Sequence, residues 1–311
     1  MIRRHRPILL ALALAATLAN AGPVAANQVD LPDQAGWDAT RRMAVTPDGV
    51  HLTYLELGQE PGMEKGAPII LIHGYTDNSR SWSLLAPTLR QEMPDRRIIA
   101  VDLRGHGSSD APGCCYGPDS LASDVAGLMQ ALQISQADVV GHSLGSMTAA
   151  YLAATRPASV RRLVLLSSAT HLPASSRDWL WQKVPDLAQP IDPDGAFMKE
   201  WFANPTPVAE DFLKRERADA AAVPLHVWNG VLQTLSAWDW APLAPRIQAR
   251  TMIAWGDQDT LFDAKAQTVL QAALPAAQYV QFDGLGHNFF WEQPEKVGKT
   301  ISGFLTEAPS P

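Results

Sequence analysis

Cysteine is nearly absent from the sequence, and its scarcity excludes several kinds of protein. The 311 residues contain only Cys114 and Cys115, which are adjacent. Neighbouring cysteines cannot join distant parts of a fold, and they lack the accompanying ligands of a structural zinc site. We therefore expect no disulfide framework and no metal centre. The sequence leaves open whether the two thiols are free or bonded to each other.

Positive charge and long apolar runs are also scarce. The net charge is −7 and no basic stripe runs along the chain, so no nucleic-acid partner is expected. The only marked apolar run, residues 8–18, follows a basic start and precedes small residues up to Ala26. That order is typical of a secretory signal peptide, and the run is too short to span a bilayer stably.

The first residues therefore predict export. We expect residues 1–26 to be a signal peptide that is cleaved after Ala26, with cleavage after Ala21 as an alternative. The mature protein would then be soluble, in the periplasm or outside the cell, with no stable membrane insertion. An uncleaved membrane anchor is the competing interpretation of the same residues.

Short apolar segments alternate with helical patterns along most of the chain, which predicts an α/β fold. The predicted strands cover residues 50–57, 68–72, 97–101, 137–140, 160–166, 249–255 and 278–282. The predicted helices cover residues 83–92, 120–132, 144–156, 262–274 and 292–305. This alternation implies a mostly parallel central sheet with helices on both faces.

One region, residues 171–245, breaks the alternation. It reads as helical, it contains several prolines, and most of the tryptophans lie in it: Trp179, Trp181, Trp201, Trp228, Trp238 and Trp240. We predict a helical cap there, inserted between two parts of one core, residues 27–170 and 246–311. The tryptophans would either pack the cap onto the core or line an apolar pocket.

The segment Gly141-His-Ser-Leu-Gly145 stands between a predicted strand and a predicted helix. Flanking glycines allow a sharp turn, and the start of the helix directs free N–H groups toward the serine. This context predicts that Ser143 is a nucleophile, with an ordinary turn serine as the alternative. The backbone N–H groups of Leu144 and of Tyr75, which follows the strand at 68–72, are the expected donors to an oxyanion.

A serine nucleophile needs a general base and an acid that orients the base. Of the eight histidines, His287 lies in a glycine-rich loop after the last predicted strand, and we predict that it is the base. Asp259 follows the strand at 249–255 and is the expected acid, whereas Asp257 is better suited to a turn or cap. His73 and His106 are expected to make structural hydrogen bonds, and His142, which precedes Ser143, is expected to face another way on the turn.

Together these motifs resemble the α/β-hydrolase family with a helical cap. The resemblance covers roughly residues 43–305 and is carried by His73-Gly74, the loop at residues 102–110, the Ser143 turn, the loop at residues 256–259 and Gly286-His287. It implies Ser143 as nucleophile, His287 as base and Asp259 as orienting acid. Related epoxide hydrolases and dehalogenases use aspartate as nucleophile, so Ser143 argues against both activities.

The expected function is a serine esterase or lactonase that acts on a small, fairly apolar substrate without metal or organic cofactor. A C–C bond hydrolase, a perhydrolase or a proline-type aminopeptidase would use the same three residues. The aminopeptidase would need acidic cap residues, and the cap has several: Glu200, Glu210, Asp211, Glu216 and Asp219. A ligand-binding protein without turnover is the alternative from another class, and the oligomeric state stays open.

Overall fold

The computed structural model describes residues 36–58 and 64–308. The predicted signal peptide lies outside these residues. The strands are β1 Arg42–Val45, β2 His51–Gly58, β3 Ile69–Ile72, β4 Arg97–Val101, β5 Ala137–His142, β6 Val160–Leu166, β7 Arg250–Gly256 and β8 Gln278–Phe282. They form one eight-stranded sheet in the order β1-β2-β4-β3-β5-β6-β7-β8.

The sheet is mostly parallel, as the sequence predicts. Strands β3 to β8 pair in parallel, and only β1 with β2 and β2 with β4 pair antiparallel. Every residue of β3, β4 and β5 is buried, which explains why β3 and most of β4 are uninterrupted apolar segments rather than alternating ones. The predicted fold class is confirmed.

The helices cover both faces of the sheet. They are α1 Ala86–Glu92, α2 Pro118–Ala131, α3 Leu144–Thr155, α4 Ala174–Lys183, α5 Ala196–Trp201, α6 Glu210–Ala222, α7 Leu225–Ala237, α8 Ala264–Ala273, α9 Phe289–Glu292 and α10 Pro294–Thr306. Short 3-10 helices add Trp37–Thr40, Ser79–Trp82, Pro157–Ser159, Val184–Asp186 and Ala241–Arg246. No helix in the described ranges is long and apolar enough to cross a membrane.

The strand order reverses between β3 and β5. From β3 the chain crosses to β4 on one side, and it later returns to β5 on the other side. In open parallel sheets, ligands bind beyond the carboxyl ends of the strands at such a point. The loops after β3 and β5 carry Tyr75 and Ser143, so both lie where this topology favours a site.

The segment between β6 and β7 is helical. It contains α4 to α7, and within the described residues 171–245 the only β-pairing is an isolated bridge between His171 and Asp239. The exact limits of the cap, residues 171 and 245, stay a prediction. Trp228 and Trp240 are fully buried, whereas Trp181 is 43% exposed, so the cap tryptophans do not share one role.

Three local features differ from the sequence analysis or were left open by it. Strand β1 was not predicted, because its four edge residues are mostly exposed and show no alternating burial. Helix α1 begins at Ala86 rather than at residue 83, since the preceding residues form a 3-10 helix capped by the Asn78 side chain. Cys114 and Cys115 are bonded to each other.

Candidate active site

Ser143 occupies a sharp turn between the end of β5 and the start of α3. Its φ of +53° and ψ of −119° lie in a region that residues with a side chain rarely adopt. The Ser143 N–H donates to the carbonyl of Leu166, at the end of the neighbouring strand, at 3.0 Å. A non-glycine residue held in such a conformation at a cavity is a frequent mark of a functional position.

The glycines on either side of Ser143 are required by close backbone approaches. A Cβ at Gly141 would lie 2.3 Å from the carbonyl oxygen of Gly145. A Cβ at Gly145 would lie 2.2 Å from the carbonyl oxygen of Ile72, in β3. Neither contact is sterically allowed, so only glycine lets α3 begin directly against the sheet.

His287 and Asp259 meet at the carboxyl ends of β7 and β8. The Nδ1 of His287 lies 2.8 Å from Oδ2 of Asp259, whose side chain is completely buried. Oδ1 of Asp259 accepts the backbone N–H groups of Leu261 at 2.9 Å and Phe262 at 3.0 Å. An ionised carboxylate can only accept, so Nδ1 of His287 must donate, and Nε2 is left as the basic nitrogen.

Ser143 and His287 line the same cavity, which has a volume of about 580 Å³. Within the described chain the Ser143 hydroxyl has no hydrogen-bond partner, so it forms no hydrogen bond with His287 in this structure. Hydrogen bonds between a nucleophile and its base are often long in the absence of substrate. The structure thus brings Asp259 and His287 into contact and places Ser143 beside them.

The predicted oxyanion donors are the backbone N–H groups of Tyr75 and Leu144. No hydrogen bond within the described residues uses the backbone N–H of Tyr75 or of Leu144. Their assignment as oxyanion donors stays a prediction. The Tyr75 side chain is 5% exposed and donates its hydroxyl to the carbonyl of Trp228 in α7, so it ties the loop after β3 to the cap.

His142 packs beside the predicted base. It lines the cavity, and its ring centre lies 4.9 Å from that of His287. Its Nε2 donates to the backbone carbonyl of His287 at 3.1 Å. Burial lowers the pKa of His142 below its ordinary value, so this histidine is neutral at neutral pH and helps to position the loop that carries His287.

His73 and His106 make structural hydrogen bonds, as predicted. His73 uses both nitrogens, one with the carbonyl of Gly74 and one with the N–H of Leu103. Burial lowers the pKa of each histidine to about 3, so both remain neutral. Asp257 accepts the N–H of Gly284 at 2.6 Å and therefore fixes a loop, as expected of the competing aspartate.

Two residues that the sequence analysis missed hold the His287 loop in place. The hydroxyl of Ser167, just after β6, donates to the carbonyl of His287 at 2.6 Å. Glu292 accepts the N–H of Gly286 at 2.7 Å and that of Thr206, in the cap, at 3.0 Å. The contacts of Ser167 with His287 and of Glu292 with Thr206 join distant parts of the chain, so no local sequence pattern marks them.

The cavity wall is aromatic on its cap side and acidic at two points. Trp179 and Trp201 line it, with ring planes 13° apart and centres 5.9 Å apart. Glu200 lies on the wall and accepts the indole N–H of Trp179 at 3.3 Å. Asp77, 5% exposed, lies on the core side. Within the described residues no group of three or more metal-binding side chains comes together.

Comparisons with known proteins show the family and the fold of the chain. Residues 67–294 match the family model described as the alpha/beta hydrolase fold. The 2-hydroxymuconate semialdehyde hydrolase of Pseudomonas sp. strain CF600 is 28% identical over 254 residues, which cover 78% of this chain and 88% of that protein.

Solved structures share the architecture. The esterase of Exiguobacterium antarcticum superposes with a TM-score of 0.74 at 20% identity, covering 85% of this chain and 99% of its own. The enol-lactonase of Burkholderia xenovorans LB400 superposes with a TM-score of 0.69 at 24% identity, covering 86% and 100%. At these identities the likeness concerns the fold alone.

Proposed function

The chain belongs to the alpha/beta hydrolase fold family, and on that premise we propose that it is an exported serine hydrolase that cleaves a small, fairly apolar ester or lactone. The observation that carries the proposal is the Asp259–His287 contact at 2.8 Å beside Ser143 in one cavity. A buried acid, an oriented histidine and a half-buried serine that lines the cavity are the parts that nucleophilic acyl transfer needs.

The proposed reaction has two halves. Ser143 attacks the substrate carbonyl while Nε2 of His287 takes the hydroxyl proton, and the backbone N–H groups of Tyr75 and Leu144 bind the oxyanion. The alkoxide leaving group departs with the proton from His287, and an acyl-enzyme remains on Ser143. His287 then activates a water that releases the acid. Asp259 stabilises the imidazolium that forms in both halves.

The cavity wall favours an ester or lactone of modest size. Its volume of about 580 Å³ suits a small molecule, and its cap side includes the aromatic side chains of Trp179, Trp201 and Phe202. A C–C bond hydrolase on the same three residues is the second candidate, favoured by the similarity to 2-hydroxymuconate semialdehyde hydrolase. The compound in that name carries a carboxylate, and no Lys or Arg is found among the described residues that line this cavity.

The test is steady-state hydrolysis of a panel of p-nitrophenyl esters, lactones, prolyl amides and a vinylogous diketone. We expect turnover of esters or lactones, and loss of that turnover in the Ser143→Ala variant. Preferential cleavage of the diketone would favour the C–C candidate, and preferential cleavage of prolyl amides the aminopeptidase. A single burst of product without turnover would favour a binding protein.

A further inference from the structure

The charged groups on the cavity wall all have one sign at neutral pH. Asp77 and Glu200 contribute carboxylates, and the described lining residues include no Lys or Arg. His142 adds no positive charge, because burial lowers its pKa. The cavity wall therefore has a negative electrostatic potential.

Lys183 and Arg80 are paired with carboxylates and do not line the cavity. Lys183 contacts Glu200 at 3.3 Å, with side chains 39% and 50% exposed, and because water screens such pairs, Lys183 offsets only part of the Glu200 charge. Arg80 pairs with Asp219 of α6 at 2.7 Å. Neither cation lines the cavity, so neither is placed to receive an anionic substrate.

A substrate carboxylate would be disfavoured in this cavity for two reasons. It would lose part of its hydration on entry, and it would meet carboxylates at both the cap side and the core side instead of a paired cation. A cationic group on the substrate would be favoured in this cavity. Glu200 supplies a counter-charge, and Trp179 and Trp201 supply aromatic rings that attract cations.

We infer that this cavity selects substrates by charge, taking neutral and cationic groups beside the reacting carbonyl and rejecting those that carry a carboxylate. The inference rests on the proposed function, because it concerns the substrate of the same site. Glu200 is its principal specificity-determining residue, since it lies on the wall next to Trp179 and takes no part in the hydrogen bonds that hold Asp259 and His287.

Three p-nitrophenyl esters with the same three-carbon spacer test the inference. Their acyl groups are 4-(trimethylammonio)butanoyl, 5,5-dimethylhexanoyl and glutaryl, so the end group is a cation, its neutral isostere or a carboxylate. We expect kcat/KM to fall in that order, with the cationic ester favoured over the glutaryl ester on the order of a hundred-fold. Equal kcat/KM for all three, or a preference for the glutaryl ester, would overturn the inference.

The Glu200→Gln variant identifies the residue responsible. Glutamine keeps an oxygen for the Trp179 indole but removes the charge, so the cation-to-anion ratio of kcat/KM should fall about ten-fold. The ratio cancels any general effect on activity. Asp211→Asn, on the exposed side of α6, is the matched control and should keep the ratio of the unmodified protein. An unchanged ratio in Glu200→Gln would contradict the assignment of Glu200.

A binding measurement separates failure of the inference from failure of the proposed function. The primary amides of the same three acids are titrated into the Ser143→Ala variant by calorimetry. Ester turnover without any charge order would leave the proposed function standing and overturn the inference. Absence of turnover for every ester would overturn the proposed function, and the order of the amide affinities would then decide charge selection by itself.

Discussion

Replacing Asp259 with asparagine should abolish most activity while leaving the fold intact. Oδ1 of Asp259 accepts two backbone N–H groups, from Leu261 and Phe262, and Oδ2 faces Nδ1 of His287 at 2.8 Å. An asparagine must keep its oxygen toward the two backbone donors, because the reverse orientation would set N–H groups against N–H groups. Its amide nitrogen therefore faces Nδ1 of His287 as a donor.

The consequence is a change of tautomer in His287. Nδ1 must then accept the asparagine N–H, so the proton moves to Nε2, and the ring can no longer take a proton from Ser143. Loss of the correct tautomer in a serine triad costs about 10⁴-fold in kcat, which corresponds to about 5 kcal/mol of barrier. The backbone hydrogen bonds are retained, so the melting temperature should change little.

The assay is kcat for a short-chain p-nitrophenyl ester at pH 7.5, together with a thermal melt of each variant. Asp257→Asn is the control, because the Asp257 carboxylate only accepts the N–H of Gly284 and an asparagine oxygen can do the same. We expect the control to stay close to the unmodified protein. A folded Asp259→Asn variant with activity within ten-fold of the unmodified protein would refute the assigned role of the Asp259–His287 contact.

Three further predictions concern stability and processing. Gly145→Ala places a Cβ 2.2 Å from the Ile72 carbonyl, so urea denaturation should show a loss of about 1–3 kcal/mol in unfolding free energy; no loss would contradict the required close approach. Burial raises the pKa of Glu216, which is 1% exposed and lacks hydrogen-bond partners for both oxygens in the described chain. The folded state therefore favours protonated Glu216. Its stabilising contribution is complete below the ordinary carboxyl pKa, and it is lost as the pH rises toward the raised pKa of Glu216. Glu216→Gln should therefore raise the melting temperature more at pH 8 than at pH 5, and an equal change at both would be contrary evidence. Export predicts a mature chain that starts at Asn27 in N-terminal sequencing of the secreted or periplasmic fraction, whereas an intact Met1 there would contradict cleavage.

The sequence was sufficient for features that depend on neighbouring residues. The central strands could be predicted because burial on both faces of a parallel sheet demands uninterrupted apolar segments, as in β3 and β4. The turn at Ser143 could be predicted because close backbone approach leaves glycine as the only residue at 141 and 145. His287 and Asp259 could be paired because each follows a strand, and adjacent parallel strands end at the same edge.

Features that depend on contacts between distant residues could not be predicted. The orientation of His142 is set by the carbonyl of His287, far along the chain, and nothing in the local sequence indicates it. The sequence did not distinguish Asp77 and Glu200, which line the cavity, from other acidic residues. Whether an acidic side chain reaches the cavity depends on how α5 and the loop after β3 pack. Strand β1 was missed for a related reason, since an exposed edge strand has no buried face to create a pattern.

The most direct measurement is the intact mass of the protein after treatment with a small fluorophosphonate, followed by peptide mapping. The proposed chemistry predicts one adduct per chain, located on Ser143, with no adduct in the Ser143→Ala and His287→Ala variants. An unmodified mass for the folded protein, or an adduct on another residue, would contradict the proposal that Ser143 is a nucleophile activated by His287 and Asp259.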